Sequence, residues 1–120
     1  MTKILIPIQI DHGRDSIASG HLGGAPKYFI ANLENEEQDI ILPNTSKKFG
    51  GTLPPIQLIL NAEPDYVFSK GACGGAFTKL SQNGIGVYEI GDFNIKDAIS
   101  KFKENQLEKI TEGSHGSCNH

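Results

Sequence analysis

Cys73 is a residue whose type and position suit metal or covalent chemistry. It stands in the run Gly71-Ala72-Cys73-Gly74-Gly75, directly before a predicted helix. The positive end of a helix favours the thiolate, the form that ligates metals and attacks electrophiles. Positions 73, 76, 77 and 80 also form an apolar helical stripe, so a buried, unreactive cysteine is the alternative interpretation.

Two histidines lie in a long polar loop near the N-terminus, residues 11–26. The imidazoles of His21 and His12 have the nitrogens needed to coordinate a metal or to transfer protons. Loops of this length are often functional in compact domains, although a loop histidine can equally be a solvated surface group. No Ser/His/Asp order and no paired-carboxylate spacing marks a hydrolytic site.

The last eight residues contain a second group of metal-binding types. His115, Cys118 and His120 supply two imidazoles and one thiol, which suit zinc, copper or iron. Their spacing does not match a closed four-ligand site. The sequence therefore offers them as further metal ligands, with a frayed tail as the alternative.

Length and charge limit the classes of protein that this chain can belong to. It has 120 residues and a formal net charge of −3 at pH 7, which fits one domain and argues against a nucleic-acid binder. Arg14 is the only arginine, and Cys73 and Cys118 are too few for a disulfide scaffold. Without a signal pattern or an apolar run near the roughly 18 residues of a membrane span, we expect a soluble, cytoplasmic protein.

The hydrophobic pattern predicts an alternation of strands and helices. Strands are expected at residues 3–10, 28–33, 38–42, 66–69 and 85–90, and helices at 52–61, 76–83 and 94–104. Thr52 and Asn94 are the predicted helix caps, and a strand should end, bulge or lose a neighbour at Pro7. Right-handed crossovers then give a three-layer α/β/α sandwich around a mixed five-stranded sheet whose second strand runs antiparallel. We expect a domain at residues 1–104 and a polar tail at 105–120.

In an open α/β sheet, ligands collect outside the carboxyl ends of the parallel strands. This rule selects residues 11–26, 47–52, 69–75 and 91–94. Two of these segments are glycine-rich and lead into helices, so their backbone N–H groups can hold an anion. Neither matches a phosphate-binding GxxxxGK[ST] loop or a GxGxxG fingerprint, and the alternative is that the glycines only form tight turns.

Several short motifs together resemble a known family. They are the run MTKILIPIQI at residues 1–10, the element Ser19-Gly20-His21-Leu22-Gly23 with residues 25–29, and GACGGAFTKLSQNGIGVYEI at residues 71–90. In this order and at these separations they resemble the dinitrogenase iron-molybdenum cofactor biosynthesis family, which includes NifX-like, nitrogenase accessory factor-like domains. The resemblance covers about residues 1–104 and implies a ribonuclease-H-like fold with strand order 3-2-1-4-5.

The resemblance implies a non-enzymatic protein that carries an iron-sulfur or iron-molybdenum cluster, or its precursor, between donor and acceptor proteins. His21 matches the family's His-Phe-Gly element, with Leu22 in place of phenylalanine and Gly24 where arginine is common. Cys73 lies in the family's glycine turn, where many relatives lack a cysteine. The fold name implies no nuclease activity, since the predicted strand interiors contain no cluster of acidic metal ligands.

The preferred hypothesis places the cluster at the carboxyl edge of the sheet, with His21 and Cys73 as metal ligands. The expected cofactor-binding set also includes Ser19, Gly50, Gly51, Gly71, Gly74 and Gly75, the glycines offering backbone N–H groups to cluster sulfides.

Two hypotheses from other classes remain. One is a small enzyme with Cys73 as nucleophile and His21 or His12 as base. The other is an interaction or small-anion-sensing module whose tail handles free metal ions. The sequence does not set the oligomeric state.

Overall fold

The structure, a computed structural model, describes residues 2–19, 22, 25–46, 50–51, 53–70, 74–90 and 94–109. These residues form six strands, three α-helices and a single 3₁₀ turn. The elements are β1 (Lys3–Ile8), β2 (Lys27–Asn32), the 3₁₀ turn (Glu36–Gln38), β3 (Ile40–Pro43), α1 (Pro55–Asn61), β4 (Tyr66–Ser69), α2 (Gly74–Gln82), β5 (Gly86–Glu89), α3 (Ile95–Lys103) and β6 (Glu108–Lys109).

All six described strands join one mixed sheet in the order β3-β2-β1-β4-β5-β6. β1, β4 and β5 are parallel neighbours, whereas β2 runs antiparallel to both β1 and β3. The predicted order 3-2-1-4-5 and the antiparallel second strand are therefore confirmed. β6, a two-residue strand antiparallel to β5, adds a sixth strand beyond residue 104, where the sequence analysis began the tail.

Pro7 does not end β1, but the strand loses a ladder partner near it, as predicted. Pro7 pairs with Tyr28 of β2, while the register between β1 and β4 covers only Ile4 and Leu5. On the side opposite β2, Ala18 bridges to Ile8, and the Ser19 N–H donates to the Pro7 carbonyl at 2.7 Å. The residue without an N–H therefore faces a loop rather than a strand.

The first residues of α1 and α3 are set by the residues that cap these helices. The Asn94 side chain caps α3 by accepting from the Asp97 N–H at 2.8 Å, as predicted. Thr52 lies outside the described residues, and α1 starts at Pro55 with Pro54 as its N-cap, so the predicted Thr52 cap is wrong. A residue that precedes a proline is held in extended conformation, and Pro54 accordingly has ψ 149°.

Alternate residues of the central strands pack against helices on opposite faces of the sheet. On one face, Ile4, Ile6 and Ile8 join the α3 residues Ile95 and Ile99 in a buried cluster. On the other face, the strand residues Leu5, Val67 and Val87 pack with Ile59 of α1 and Leu80 of α2. The predicted α/β/α layering is thus confirmed. The longest described helices, with nine residues each, are too short to cross a membrane.

Candidate functional site

The carboxyl edge of the sheet is formed by the ends of four strands that point the same way. β1 ends at Ile8, β4 at Ser69 and β5 at Glu89, and β3, two antiparallel steps from β1, ends at Pro43. The loops that leave these four points are those that the sequence analysis selected for ligand binding. The described ends of the four strands that lead into the selected segments therefore lie at one edge of the sheet.

Only some of the predicted site residues belong to the described part of the chain. Ser19, Gly50, Gly51, Gly74 and Gly75 are described. The remaining members of the predicted set lie outside the described residues, and their assignment stays a prediction: His21, Gly71, Cys73, His115, Cys118 and His120.

His21 and Cys73 follow two neighbouring strands in the chain, and the described residues Ser19 and Ser69 lie before them. Ser19 is buried and bonded to Pro7 at the end of β1, and Ser69 is the buried last residue of β4. Because β1 and β4 are adjacent parallel strands that pair at Ile4 and Leu5, the segments that lead to His21 and Cys73 both follow strands that end at this edge.

A buried polar network holds Leu22 and Ala25, two described residues that follow His21 in the chain. The Tyr28 hydroxyl donates to the Leu22 carbonyl at 2.7 Å, and Asn44 Nδ2 donates to the Ala25 carbonyl at 2.7 Å and to the Tyr28 hydroxyl at 3.2 Å. Burial raises the pKa of Tyr28 to about 12, so at neutral pH its hydroxyl keeps the proton that it donates. The network ties Leu22, the neighbour of His21, to the end of β3.

The Ser46 turn, defined by the described residues 44–46, 50 and 51, continues from this network. The Ser46 N–H donates to Asn44 Oδ1 at 3.0 Å, and the Gly51 N–H donates to the Ser46 carbonyl at 2.9 Å. A Cβ on Gly51 would lie 1.8 Å from the Thr45 carbonyl oxygen, so only glycine fits there. Ser46 is completely buried, and its Oγ has no hydrogen-bond partner among the described residues.

The Ser16 loop, defined as residues 9–19, holds the chain's arginine in a structural role. Arg14 Nε and Nη2 donate to the two oxygens of Asp39, at 2.8 and 3.0 Å, and Nη2 also donates to the Asn32 carbonyl at 3.0 Å. The hydrogen bond to Asp39 raises the pKa of Arg14 above its already high ordinary value. The Arg14 guanidinium is thus committed to the β2–β3 connection.

His12 lies in the same loop and is exposed. Its backbone N–H donates to Ser16 Oγ at 2.8 Å, which places it beside the start of α3, since the Ser16 carbonyl accepts from the Ile95 N–H. Among the described residues, no group of three or more His, Cys, Asp or Glu side chains is placed to hold a metal ion.

One cavity of about 370 Å³ lies away from this edge. It is lined by Phe77 and Ser81 of α2, by Gly86 and Val87 of β5, and by Lys109 of β6. Gly86 is the first residue of β5, so the cavity opens near the beginning of that strand. It is separate from the segments that the sequence analysis selected.

Tyr28, Asn44 and Ser46 were missed by the sequence analysis. Tyr28 has the pattern of an ordinary strand residue, and its hydroxyl acquires a role only from the loops packed against it. The Pro43-Asn44-Thr45-Ser46 run is a usable signal, since asparagine after a strand often bonds a backbone N–H two residues later, as Asn44 does here.

Comparison with known proteins identifies relatives of the whole folded region. The family model for the dinitrogenase iron-molybdenum cofactor matches residues 2–105. An uncharacterized protein of Methanocaldococcus jannaschii is 31% identical over 120 residues, a match that covers 92% of this chain and 99% of that protein.

Solved structures share the fold. The apo orange protein of Desulfovibrio gigas has a TM-score of 0.81 at 15% identity and covers 93% of this chain and 95% of its own. A Thermotoga protein described as a candidate NifB protein has a TM-score of 0.77 at 24% identity, covering 98% of this chain and 100% of its own. A Methanocaldococcus jannaschii protein described as a candidate dinitrogenase has a TM-score of 0.71 at 17% identity, covering 92% and 95%.

Proposed function

Because the chain belongs to the dinitrogenase iron-molybdenum cofactor family, we propose that it is a carrier of an iron-sulfur or iron-molybdenum cluster, or of a precursor of one. The observation that carries the proposal is the extent of the match, since residues 2–105 include every described strand except β6 and all three described helices. In this proposal the cluster is cargo, received from one protein and delivered to another.

The carboxyl edge is the proposed cargo site, with His21 and Cys73 as ligands. Support comes from the described residues near them in the chain, because Ser19 is bonded to Pro7 near the end of β1, Tyr28 holds Leu22, and α2 begins at Gly74. A thiolate and an imidazole are ligands that iron accepts readily.

Anionic cargo suits the described donors at this edge. Gly74 and Gly75 are the first two residues of α2, whose N-terminal end carries partial positive charge. Gly50, at φ +88°, lies in the turn before α1, where the Gly51 N–H is already bonded to the Ser46 carbonyl. The N–H groups at the start of α2 are therefore the donors proposed to meet negative sulfide or oxygen atoms without an arginine.

The proposal is tested by anaerobic reconstitution of the full chain with ferrous iron and sulfide, and in a second arm with molybdate. After desalting, visible absorbance and metal analysis measure what stays bound. We expect the unaltered protein to retain metal and the H21A/C73A variant to lose it. A chain lacking residues 113–120 is the matched control and should bind normally.

Two results would contradict this assignment. Equal metal retention by the H21A/C73A variant and the unaltered protein would remove both ligands from the site. Loss of binding on deleting residues 113–120 would place the metal on His115, Cys118 and His120 instead.

A separate measurement distinguishes a ligand from a nucleophile. In a C118A variant Cys73 is the only cysteine, so alkylation reports on its thiol alone. As a ligand, Cys73 should be protected when the protein is loaded with cargo. Rapid, selective labelling at neutral pH that loading does not change would favour the cysteine-enzyme hypothesis instead.

A further inference from the structure

Tyr28 brings a hydroxyl into a part of the core where an apolar strand residue would pack as well. It lies in β2, is completely buried, and belongs to the cluster that contains Leu5 and Val67 of the central strands. Its hydroxyl donates to the Leu22 carbonyl at 2.7 Å and accepts from Asn44 Nδ2 at 3.2 Å. A phenylalanine would fill the same space without burying a hydroxyl, so these two hydrogen bonds are what the tyrosine adds.

Leu22 is held in two ways. Its carbonyl accepts from Tyr28, and its side chain, 8% exposed, packs in the same buried cluster. Ala25, three residues later, is completely buried, and its carbonyl accepts from Asn44 Nδ2 at 2.7 Å. Because Tyr28 belongs to β2 and Asn44 directly follows β3, these contacts tie Leu22 and Ala25 to the sheet.

One peptide bond joins Leu22 to His21, the residue proposed as a cargo ligand. A metal ligand binds best when the protein holds it in one orientation, and hydrogen bonds from residues behind the ligand commonly give this support. Tyr28 makes such a bond to the residue next to His21. Burial raises the pKa of Tyr28 to about 12, so the hydroxyl is a donor throughout the neutral range.

We propose that Tyr28 is a positioning residue of the cargo site, whose hydroxyl holds the Leu22 carbonyl and thereby limits the orientations open to His21. This inference rests on the proposed function, in which His21 is a ligand, and it assigns to the site a completely buried residue of β2. Loss of the hydroxyl should therefore weaken cargo binding through His21 alone.

The test is a double-mutant cycle on the full chain with Tyr28→Phe and His21→Ala. Each protein is loaded anaerobically over a series of probe concentrations, and metal analysis after desalting gives the concentration for half-loading. The probe is whichever the unaltered protein retains, ferrous iron with sulfide or molybdate. We expect Tyr28→Phe alone to raise the half-loading concentration at least about fivefold, the effect of one buried hydrogen bond, and to add nothing in the His21→Ala protein.

Ser16→Ala is the matched control. Ser16 is also completely buried, and its Oγ is bonded to the Gly13 carbonyl and the His12 N–H, so the variant removes a bonded hydroxyl elsewhere in the fold. Both Tyr28→Phe and Ser16→Ala should lower the urea midpoint, whereas only Tyr28→Phe should change the half-loading concentration. Equal weakening of loading by the two variants would overturn the inference, since it would trace the effect to lost stability.

Two further results would overturn the inference and leave the carrier function intact. One is equal half-loading by Tyr28→Phe and the unaltered protein. The other is the same weakening by Tyr28→Phe with and without His21, which would show that the hydroxyl does not act through this ligand. If the unaltered protein retains neither probe, the proposed function itself is wrong, and this inference with it.

Discussion

Two completely buried serines show how differently the Ser16 loop and the Ser46 turn are built. Ser16 Oγ donates to the Gly13 carbonyl at 2.7 Å and accepts from the His12 N–H at 2.8 Å. Ser46 Oγ has no partner among the described residues. Both segments follow strands that end at the carboxyl edge of the sheet, so position alone does not explain the difference.

The neighbours of the two serines differ in the same way. The Ser16 loop contains Arg14, which is bonded to Asp39 and Asn32, and its carbonyls accept from the first turn of α3. In the Ser46 turn, the backbone N–H and carbonyl of Ser46 both have hydrogen-bond partners, whereas Ser46 Oγ has none among the described residues. The comparison indicates that the Ser16 hydroxyl helps to hold its loop, whereas the Ser46 hydroxyl adds no hydrogen bond among the described residues.

The largest expected effect concerns the ion pair of the Ser16 loop. Asp39→Ala leaves the half-buried Arg14 guanidinium and the Asn32 N–H without their carboxylate. We expect the free energy of unfolding to fall by about 3 kcal/mol, measured by urea denaturation at neutral pH. Glu36→Ala is the control, because that exposed carboxylate lies 3.7 Å from Arg14 and should contribute less than about 0.5 kcal/mol. Similar effects of both substitutions would mean that Arg14 does not anchor the loop.

A second variant tests whether the Ser46 turn is closed as tightly as its backbone indicates. Gly51→Ala places a Cβ 1.8 Å from the Thr45 carbonyl oxygen, so the backbone must move. We expect a loss of about 2–3 kcal/mol in unfolding free energy. Gly50→Ala meets no atom within 4 Å and should lose only about 1–2 kcal/mol, from its positive φ. A smaller loss for Gly51→Ala than for Gly50→Ala would show that the turn is not closed.

The pH dependence of stability tests the buried network in which Tyr28 and Asn44 bond to the carbonyls of Leu22 and Ala25. The pKa of Tyr28 is raised to about 12 in the folded protein, against about 10 in the unfolded chain, so only the unfolded form ionises between these values. The contribution of the Tyr28 hydroxyl to the free energy of unfolding is fully present below pH 10. It decreases as the pH rises towards 12, by about 2 kcal/mol in total. Urea midpoints measured from pH 8 to pH 11.5 should fall more steeply for the unaltered protein than for Tyr28→Phe. Parallel pH profiles would refute the buried network.

The smallest expected effects come from the two serines themselves. Ser16→Ala should lose about 1–2 kcal/mol of unfolding free energy, and Ser46→Ala should lose none, because only the first removes a bonded hydroxyl. Paired urea curves under one set of conditions give the difference directly. If the two losses are equal, the comparison between the loops fails.

Much of the fold is predictable because it depends on local signals. Apolar runs mark the strands, Asn94 caps α3, and Gly84, at φ +74°, follows α2. β6 escaped the sequence analysis because Glu108 and Lys109 have no strand pattern and are held only by pairing with β5. The Thr52 cap was wrong because two consecutive prolines move the start of α1 to Pro55.

The sequence predicted the edge of the sheet where the candidate site lies, but not the side-chain contacts within that site. Strand direction brings the selected loops together, a result of topology that the βα pattern already contains. The roles of Tyr28, Asn44 and Ser46 depend on which side chains meet after folding, and a single sequence carries no direct record of that. His21 and Cys73 stay predictions.

Metal content after anaerobic reconstitution tests the central proposal, that the carboxyl edge carries a metal cluster, most directly. The measurement compares the chain lacking residues 113–120 with the same truncated chain carrying H21A/C73A, so that no tail ligand contributes. We predict that the first protein retains iron and sulfide, or molybdenum, through desalting and that the second does not. Equal metal content in the two proteins would contradict the proposed site.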